Sequence, residues 1–461
     1  MPPTAAASAA DAVEREVLLR VTPTPEEEAK LAADTKALIE AAQGALHADN
    51  LPGRATVQGS VAKGTWLAGG GDIDLFLLLD PSVPQERLEK AALAIGPRIL
   101  SDCHKRYAQH PYLIGSFRGR AVDLVPAYAV ASASAKMSAV DRTPFHTAWV
   151  AAHLRPEQRG EVRLAKQWLK GIGAYGAQTA IGGFSGYLVE VLIARFGTCR
   201  GLLAWFTAEA KPRRIALGPD EVKDDVAPVV VVDPVDPARN CAAAVSAEVL
   251  HRACEAARAY LQGPTERFFF PAPPRTEPGA ALRAHQRSAG ETWQALVLRP
   301  RTDRLDIVFP QFQKAARTVA AHLEAEGFPV RRMRTHADEA KPEVLLEWVT
   351  QDVTLPDRRL HRGPPAAVPA NAERFAAKYA GHADALGAVR TGADGRLEVD
   401  LRVRHRTAAA LLATTLGSLA VGKHVTDALA DAVHWTDPAA ATAPWAPAVA
   451  DTILDRRPWQ R

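Results

Sequence analysis

Cysteine is scarce: Cys103, Cys199, Cys241 and Cys254 are the only thiols in 461 residues, and none forms a CxxC pair. That excludes a disulfide framework and a sequence-local zinc motif, and isolated, mostly buried thiols are expected. No stretch approaches 18 uninterrupted apolar residues, so no membrane-spanning helix is expected. The opening MPPTAAASAADAVEREVLLR lacks a basic start followed by an apolar core and does not read as a secretory signal. A soluble, cytoplasmic protein with no membrane partner is therefore expected. An excess of one charge is missing too: 56 basic against 52 acidic residues leave only +4. Any nucleic-acid partner must be argued from local clusters. Apolar residues at 47% and charged residues at 23% are ordinary for folded protein, and the length suggests roughly two to four domains.

Residues 7–48 read as helix, carried by EEEAKLAADTKALIEAAQGAL behind TPTP. A short strand at TVQGS and a buried one at DIDLFLLLD follow, then a helix at PQERLEKAALAIGPRIL. YLIGSFRG and RAVDLVPAYAV read as two strands joined by a turn at 118–120. Residues 1–145 thus mix helices with a small sheet. From 146 to 270 the pattern is mainly helical. In EVRLAKQWLK, Val162, Ala165, Trp168 and Leu169 share one face, while Arg163, Lys166 and Lys170 share another. Lys166 could then enter a cleft without burying its charge in the core. FSGYLVEVLIARF is apolar nearly all round, which marks an inside helix, and the VVVV run at 229–232 is a strand ended by a stiff turn over 233–239. A Pro-rich linker at 271–281 precedes WQALVLRP, LDIVFP, a helix through PQFQKAARTVAAHLEAEG, and EVLLEWVT, read as β-β-α-β. The fold expected is α+β and multidomain.

One segment carries chemistry. Asp72 and Asp74 sit two apart on the expected strand, so both carboxylates project from one face while Ile73 and Leu75 point to a core. Carboxylates forced together repel unless a divalent cation lies between them, and oxygen ligands suit Mg²⁺. Asp123 lies 49 residues beyond Asp74, flanked by Val122 and Leu124, and again alternates outward. Three acids on adjacent strands could hold two metal ions roughly 3.5–4 Å apart, activating a hydroxyl and stabilising a pyrophosphate leaving group. Gly59 and Ser60 follow a strand directly, where backbone N–H groups and the Ser60 hydroxyl can donate to phosphate oxygens; Lys63, one turn on, can neutralise a triphosphate. Alone, a DxD is usually a solvated strand end and a GS a turn. Together with a strand-borne third acid they point to a nucleotidyltransferase.

The same segment resembles the signature of the DNA polymerase β-like nucleotidyltransferase superfamily. SAVDRTPFH at 138–146, EVRLAK at 161–166, KGIGAYGA at 170–177, GFSGYL at 183–188 and DPVDPARN at 233–240 resemble the archaeal-type (class I) CCA-adding enzymes. Fainter agreement runs through VFPQFQKA near 306–315, HRGPP at 361–365 and GKHV at 422–425. The resemblance implies template-independent addition of C, C and A to the tRNA 3′ end from CTP and ATP, with two Mg²⁺ ions. It implies a nucleotidyltransferase head over 1–145, a helical neck over 146–270 and an α+β, tRNA-binding body and tail over 282–461.

Carried over, Asp72, Asp74 and Asp123 match the family's catalytic, metal-binding acids. Ser60 and Lys63 match its triphosphate-contacting pair, though an arginine is common at the Lys63 position. Thr143, His146, Lys166 and Tyr175 match residues lining the nucleotide pocket, and Arg239 matches the arginine that reads the base. Gln109 and His110 match a segment where glutamate often precedes the histidine, and no role is assigned to them. The tRNA acceptor stem would meet basic clusters in the C-terminal half: Arg331, Arg332 and Arg334; Arg358, Arg359 and Arg362; Arg402, Arg404 and Arg406. A homodimer is left open. The competing readings are a poly(A)- or oligoadenylate-type transferase with the same head, and an RNA-binding homologue without activity.

Overall fold

The structure, a computed structural model, describes residues 5–107, 111–208, 213–223, 226–302, 305–338 and 342–461. The chain forms two units, Met1–Ala272 with Pro458–Arg461, and Pro273–Arg457. In the first, α1 (Ala5–Val21) and α2 (Pro25–Ala48) replace the single helix expected over 7–48. Pro23 disfavours helix at the residue before it. Thr24 then starts α2 with a reciprocal cap: its hydroxyl accepts from the Glu27 N–H at 3.2 Å, and the Glu27 carboxylate accepts from the Thr24 N–H at 2.9 Å.

Next come β1 (Gly53–Gln58), the five-residue helix α3 (Gly59–Lys63), β2 (Ile73–Leu79) and α4 (Gln85–Ile99), then β3 (Ser101–Tyr107), β4 (Pro111–Phe117) and β5 (Arg120–Tyr128). The sheet runs β1-β2-β5-β4-β3, with β2 and β5 parallel and the other pairs antiparallel. Alternation along the two central strands divides their side chains. Ile73, Leu75, Leu77, Leu79, Val122 and Leu124 pack against Leu38 and Leu46 of α2 and Leu88 and Ile95 of α4. Asp74 and Asp123 fall on the opposite face, in line with Phe76, Leu78 and Ala127. The edge strand β3, SDCHKRY, is mostly exposed and carries no apolar alternation, so it has no periodic signature in the sequence.

Helices α5 (Thr143–His153), α6 (Gln158–Gly171), α7 (Gly186–Phe196), α8 (Cys199–Thr207) and α9 (Ala247–Gln262) gather round Trp168, Phe184, Phe206 and Tyr260, joined by Val17 of α1 and by Trp459. Three short strands, β6 (Arg214–Ile215), β7 (Val230–Asp233) and β8 (Asp236–Asn240), complete this unit. Residues 233–239 are thus a tight turn running into a strand antiparallel to β7, where a turn alone was expected. Cys199, Cys241 and Cys254 are buried, Cys103 is half-buried, and all four are free thiols.

The second unit contains α10 (Gly279–Ala289), β9 (Glu291–Leu298), α11 (Leu305–Ala325), β10 (Val330–Asp338), β11 (Glu343–Gln351), β12 (Arg358–Pro365) and α12 (Pro369–Tyr379). It continues through β13 (Arg390–Thr391), β14 (Arg396–Arg402), α13 (Ala408–Thr415), α14 (Lys423–Leu429), β15 (Val433–Trp435) and α15 (Ala446–Ile453). An antiparallel sheet β10-β11-β9-β15 is covered on both faces: Val344, Leu346 and Trp348 meet Phe312 and Val319 of α11, while Leu345 and Val349 meet Val449 and Ile453 of α15. A smaller sheet, β12-β14-β13, packs against Phe375 and Tyr379 of α12. LDIVFP, expected as a strand, lies inside α11. Val308, Phe309, Phe312, Ala315, Ala316 and Val319 recur at helical spacing and are buried together, and that long-range face outweighs the local apolar run. The architecture is α+β throughout.

Candidate active site

The parallel register of β2 on β5 sets Asp74 directly beside Asp123, and Asp72 lies two residues before Asp74, just ahead of the strand and not on it as expected. Asp72 is exposed, whereas Asp74 and Asp123 are half-buried. Burial pushes the Asp74 carboxyl up to about 6; Asp123, Asp72 and Glu190 push the same way, and Lys63 pulls it down. Burial, then Asp72, also raises Asp123. Among the described residues no side chain donates a hydrogen bond to these three carboxylates. Nor, among the described residues, is a group of three His, Cys, Asp or Glu side chains already drawn into a ligand shell. The donor set nevertheless fits a hard divalent cation such as Mg²⁺: all oxygen, with negative charge that nearby protein groups leave largely unneutralised.

Helix α3 leads directly from β1 into this face. Ser60 is its second residue and is half-buried. Lys63, at its end, is turned inward: its ammonium donates to Glu190 Oε2 and lies 5.7 Å from the centre of the Tyr187 ring. Glu190, buried within α7, also accepts from Thr65 Oγ1 at 2.5 Å and from Lys166 Nζ at 3.3 Å. Lys166 Nζ donates further to the Thr65 carbonyl at 3.0 Å and its hydroxyl at 3.1 Å. Burial would raise the Glu190 carboxyl, but Lys166 and Lys63 hold it below its usual range. Burial lowers the Lys166 ammonium, with Glu190 opposing. The expectation that Lys166 keeps its charge out of the core is therefore corrected. It is 2% exposed, and its neighbour Arg163 is also buried, donating to the carbonyls of Trp66 and Gly64 at 3.0 and 2.9 Å. What reads as a polar face of α6 packs on the polar backbone of the loop after α3. Tyr175 stands beside the same cluster: burial, then Glu190 and Asp74, push its hydroxyl up to about 12.

A second cluster centres on Asp233, which is fully buried at the end of β7. Its carboxylate meets His146 Nε2 at 2.9 Å and accepts from Arg239 Nη1 at 2.7 Å, the Tyr187 hydroxyl at 3.0 Å and the Val235 N–H at 3.1 Å. Burial acts to raise Asp233, but His146 and Arg239 hold it well below the carboxylate range. His146 stacks on Tyr187 with ring centres 3.9 Å apart, and burial lowers its imidazole. Tyr187 joins the two clusters, with its ring beside Lys63 and its hydroxyl on Asp233. Thr143 opens α5 and is half-buried. Asp141 fixes the 3-10 turn Ala139–Arg142 that leads into that helix, accepting from the N–H groups of Tyr128, Met137 and Ser138 at 2.8, 2.9 and 2.6 Å. Replacing Asp233 with alanine strips Arg239, His146 and Tyr187 of their shared acceptor. The expected cost is about 3 kcal/mol, read as a shift in denaturation midpoint, since breaking a buried charged pair from one side leaves the other unpaired. A variant as stable as the parent would show that Arg239 rehydrates freely.

Ser60, Lys63, Lys166, Tyr175 and the three acids thus gather on one side, and His146 and Arg239 meet at Asp233. Three members of the site, Tyr187, Glu190 and Asp233, received no role from the sequence. Glu190 had a signal, as the lone acid in a helix otherwise apolar nearly all round, where a buried charge must be paired. Gln109 and His110 lie outside the described residues. Of the basic clusters, Arg332 is consumed by structure: it pairs with Glu291 and donates to the carbonyls of Thr452 and Ile453. Arg331 donates to Gln351 and Arg334 to Asp455; Arg404 pairs with Asp384, Arg406 with Asp357, and Arg362 lies 3.6 Å from Asp394. Arg358, Arg359 and Arg402 are exposed, with no carboxylate in ion-pair range among the described residues.

Residues 42–146 match the family model of the nucleotidyltransferase domain, residues 160–270 that of the tRNA nucleotidyltransferase second domain, and residues 296–435 that of the CCA-adding enzyme C-terminal domain. The CCA-adding enzyme of Halobacterium salinarum is 40% identical over 419 residues, 90% of this chain and 91% of that one. That of Methanosarcina barkeri is 34% identical over 413 residues, 89% and 90% of the two chains. Among solved structures, CdnC of E. coli with ATP aligns at TM-score 0.44 and 19% identity, over 56% of this chain and 94% of that one. Relatives this similar, matched over nine-tenths of their length, place the chain in the CCA-adding enzyme family of tRNA nucleotidyltransferases.

Proposed function

We propose that this chain adds C, C and A to the 3′ end of tRNA, one nucleotide at a time and without a template, from CTP and ATP. The observation that carries the reading is the register of β2 on β5, which lays Asp74 against Asp123 on one sheet face with Asp72 at its entrance. These three carboxylates would hold two Mg²⁺ ions. When bound, the ions supply the positive charge that acidifies the terminal ribose hydroxyl and stabilises departing pyrophosphate. The ribose hydroxyl gives its proton to solvent as its oxygen bonds to the α-phosphorus, and the bond from that phosphorus to the oxygen bridging it to the β-phosphorus breaks, releasing pyrophosphate. Ser60 and the backbone N–H groups of α3 donate to the triphosphate, with Lys63 as its counter-charge. Thr143, His146 and Tyr175 line the nucleotide, and Lys166 supports the wall behind it through Thr65 and Glu190. Arg239, its fork steadied by Asp233, presents remaining N–H groups to the base.

The division into a head over 1–145, a neck over 146–270 and a tRNA-binding body and tail over 282–461 belongs to this reading. For the acceptor stem, Arg358 and Arg402 are the strongest candidates. They face each other directly across β12 and β14, a like-charge pair that a phosphate between them would relieve.

The test uses tRNA lacking its last three nucleotides, incubated with CTP alone and then with ATP. Two C additions followed by one A are expected. An enzyme of the poly(A) type would ignore CTP and extend with many A residues, which would overturn the reading.

A further inference from the structure

We propose that Glu190 is a positioning residue for the acid site: its carboxylate holds the Lys63 ammonium on itself and so keeps that ammonium from pairing with Asp74. The inference rests on the reading of Asp72, Asp74 and Asp123 as the cation-holding acids. Glu190 lies between Val189 and Val191 on α7, and its side chain is wholly buried, so its charge must be matched on the spot. Two lysines do this in different ways. Lys166 has three N–H donors and three acceptors around it, Thr65 O, Thr65 Oγ1 and Glu190 Oε1, so its capacity is filled. Among the described residues Lys63 donates to one carboxylate oxygen, Glu190 Oε2, which leaves N–H groups to spare there.

Those spare donors matter because α3 is a single short helix with Lys63 at its end and Gly59 at its start, and Gly59 lies so close to Asp74 that a Cβ there would stand 1.7 Å from Oδ2. The Lys63 charge also acts on the Asp74 carboxyl, lowering it against burial and neighbouring acids. Two carboxylates therefore compete for one ammonium. Glu190 wins because the Thr65 hydroxyl and Lys166 both donate to its Oε1 and so fix the carboxylate, while Asp74 receives no side-chain donor among the described residues. Without the Glu190 charge, Asp74 becomes the carboxylate on which Lys63 settles. An ammonium and a divalent cation would then contend for the same oxygens.

The experiment titrates Mn²⁺, as a spectroscopic probe for Mg²⁺, into the full chain without nucleotide or tRNA. Glu190→Gln is expected to weaken Mn²⁺ binding about 10- to 100-fold, and Lys63→Met added to it to return the midpoint to within about threefold of the parent. An unchanged midpoint in Glu190→Gln, or a double variant no better than the single one, overturns the proposal. Asp74→Asn runs alongside: if it binds Mn²⁺ as the parent does, the assignment of the acids has failed, and this inference with it. Should Glu190→Gln not fold, Glu190→Asp replaces it, with its carboxylate one methylene further from Lys63. A midpoint there equal to the parent's also overturns the proposal.

Discussion

Asp74→Asn is expected to lower nucleotide incorporation about 100- to 1000-fold, the range seen when one preorganised electrostatic contact to a reacting group is lost. The same substitution is expected to make the cation-free protein more stable. Asp74 is half-buried beside Asp123 and within the field of Asp72, and its carboxyl is pushed up to about 6 from 3.8. For an acid shifted upward on folding, the contribution to stability is complete below the unfolded value and is lost as the pH rises through the folded one. At pH 7.5 the ionised carboxylate therefore costs stability, on the order of 2 kcal/mol. Asparagine removes that cost and keeps the shape. A chelated sample of the variant should melt above the chelated parent at pH 7.5, with the gap closing towards pH 4. Mg²⁺ should raise the melting temperature of the parent and leave that of the variant almost unchanged. Binding of tRNA, measured separately, should survive, because the proposed phosphate contacts at Arg358 and Arg402 lie elsewhere in the sequence. A variant that still incorporates nucleotides would remove Asp74 from the chemistry.

What the sequence could reveal follows from how local each determinant is. The acids were legible because strand alternation is a two-residue rule: Ile73, Leu75, Val122 and Leu124 define the core face, and Asp74 and Asp123 fall opposite without further information. Adjacent strands were expected, but the parallel register that sets Asp74 beside Asp123 was not legible, since the pairing of β2 with β5 joins segments some fifty residues apart. Lys166 shows the limit of a helical wheel. Arg163 and Lys166 look like a solvated stripe, yet both are buried, because the surface they meet offers loop carbonyls, a threonine hydroxyl and, from α7, the Glu190 carboxylate. A hydrophobic period records which residues avoid water, and says nothing of polar groups that find partners inside. Asp233 was hidden for a related reason. With Pro234 behind it the residue reads as a turn former, while its buried carboxylate gathers His146, Tyr187 and Arg239 from three other elements.

Gly59→Ala is expected to come close to Asp74→Asn in effect, although glycine contributes no chemistry. Gly59 joins β1 to α3 with φ at +67°, a region that costs an L-residue about 1–2 kcal/mol. The larger effect is steric. A Cβ placed there would stand 1.7 Å from Asp74 Oδ2 and 2.7 Å from its Cγ, so the short acid side chain must swing away or β1 must separate from β2. Leu75 and Phe76, which follow Asp74 along β2, are buried, and β1 and β2 stay paired from Gly53 to Gln58, so the strands resist parting. The carboxylate should move instead. A displacement of about 1 Å at a reacting centre costs about 100-fold in rate, and that is the loss expected. The melting temperature should fall only modestly, and Mg²⁺ should no longer raise it. Substitution of Gly69 is the control: its φ of +72° carries the same backbone strain, but a Cβ there meets nothing within 4 Å. Gly69→Ala should therefore lose a similar increment of stability while keeping its activity. If both variants incorporate nucleotides alike, close packing against Asp74 does not set its working position, and the turn matters only for folding.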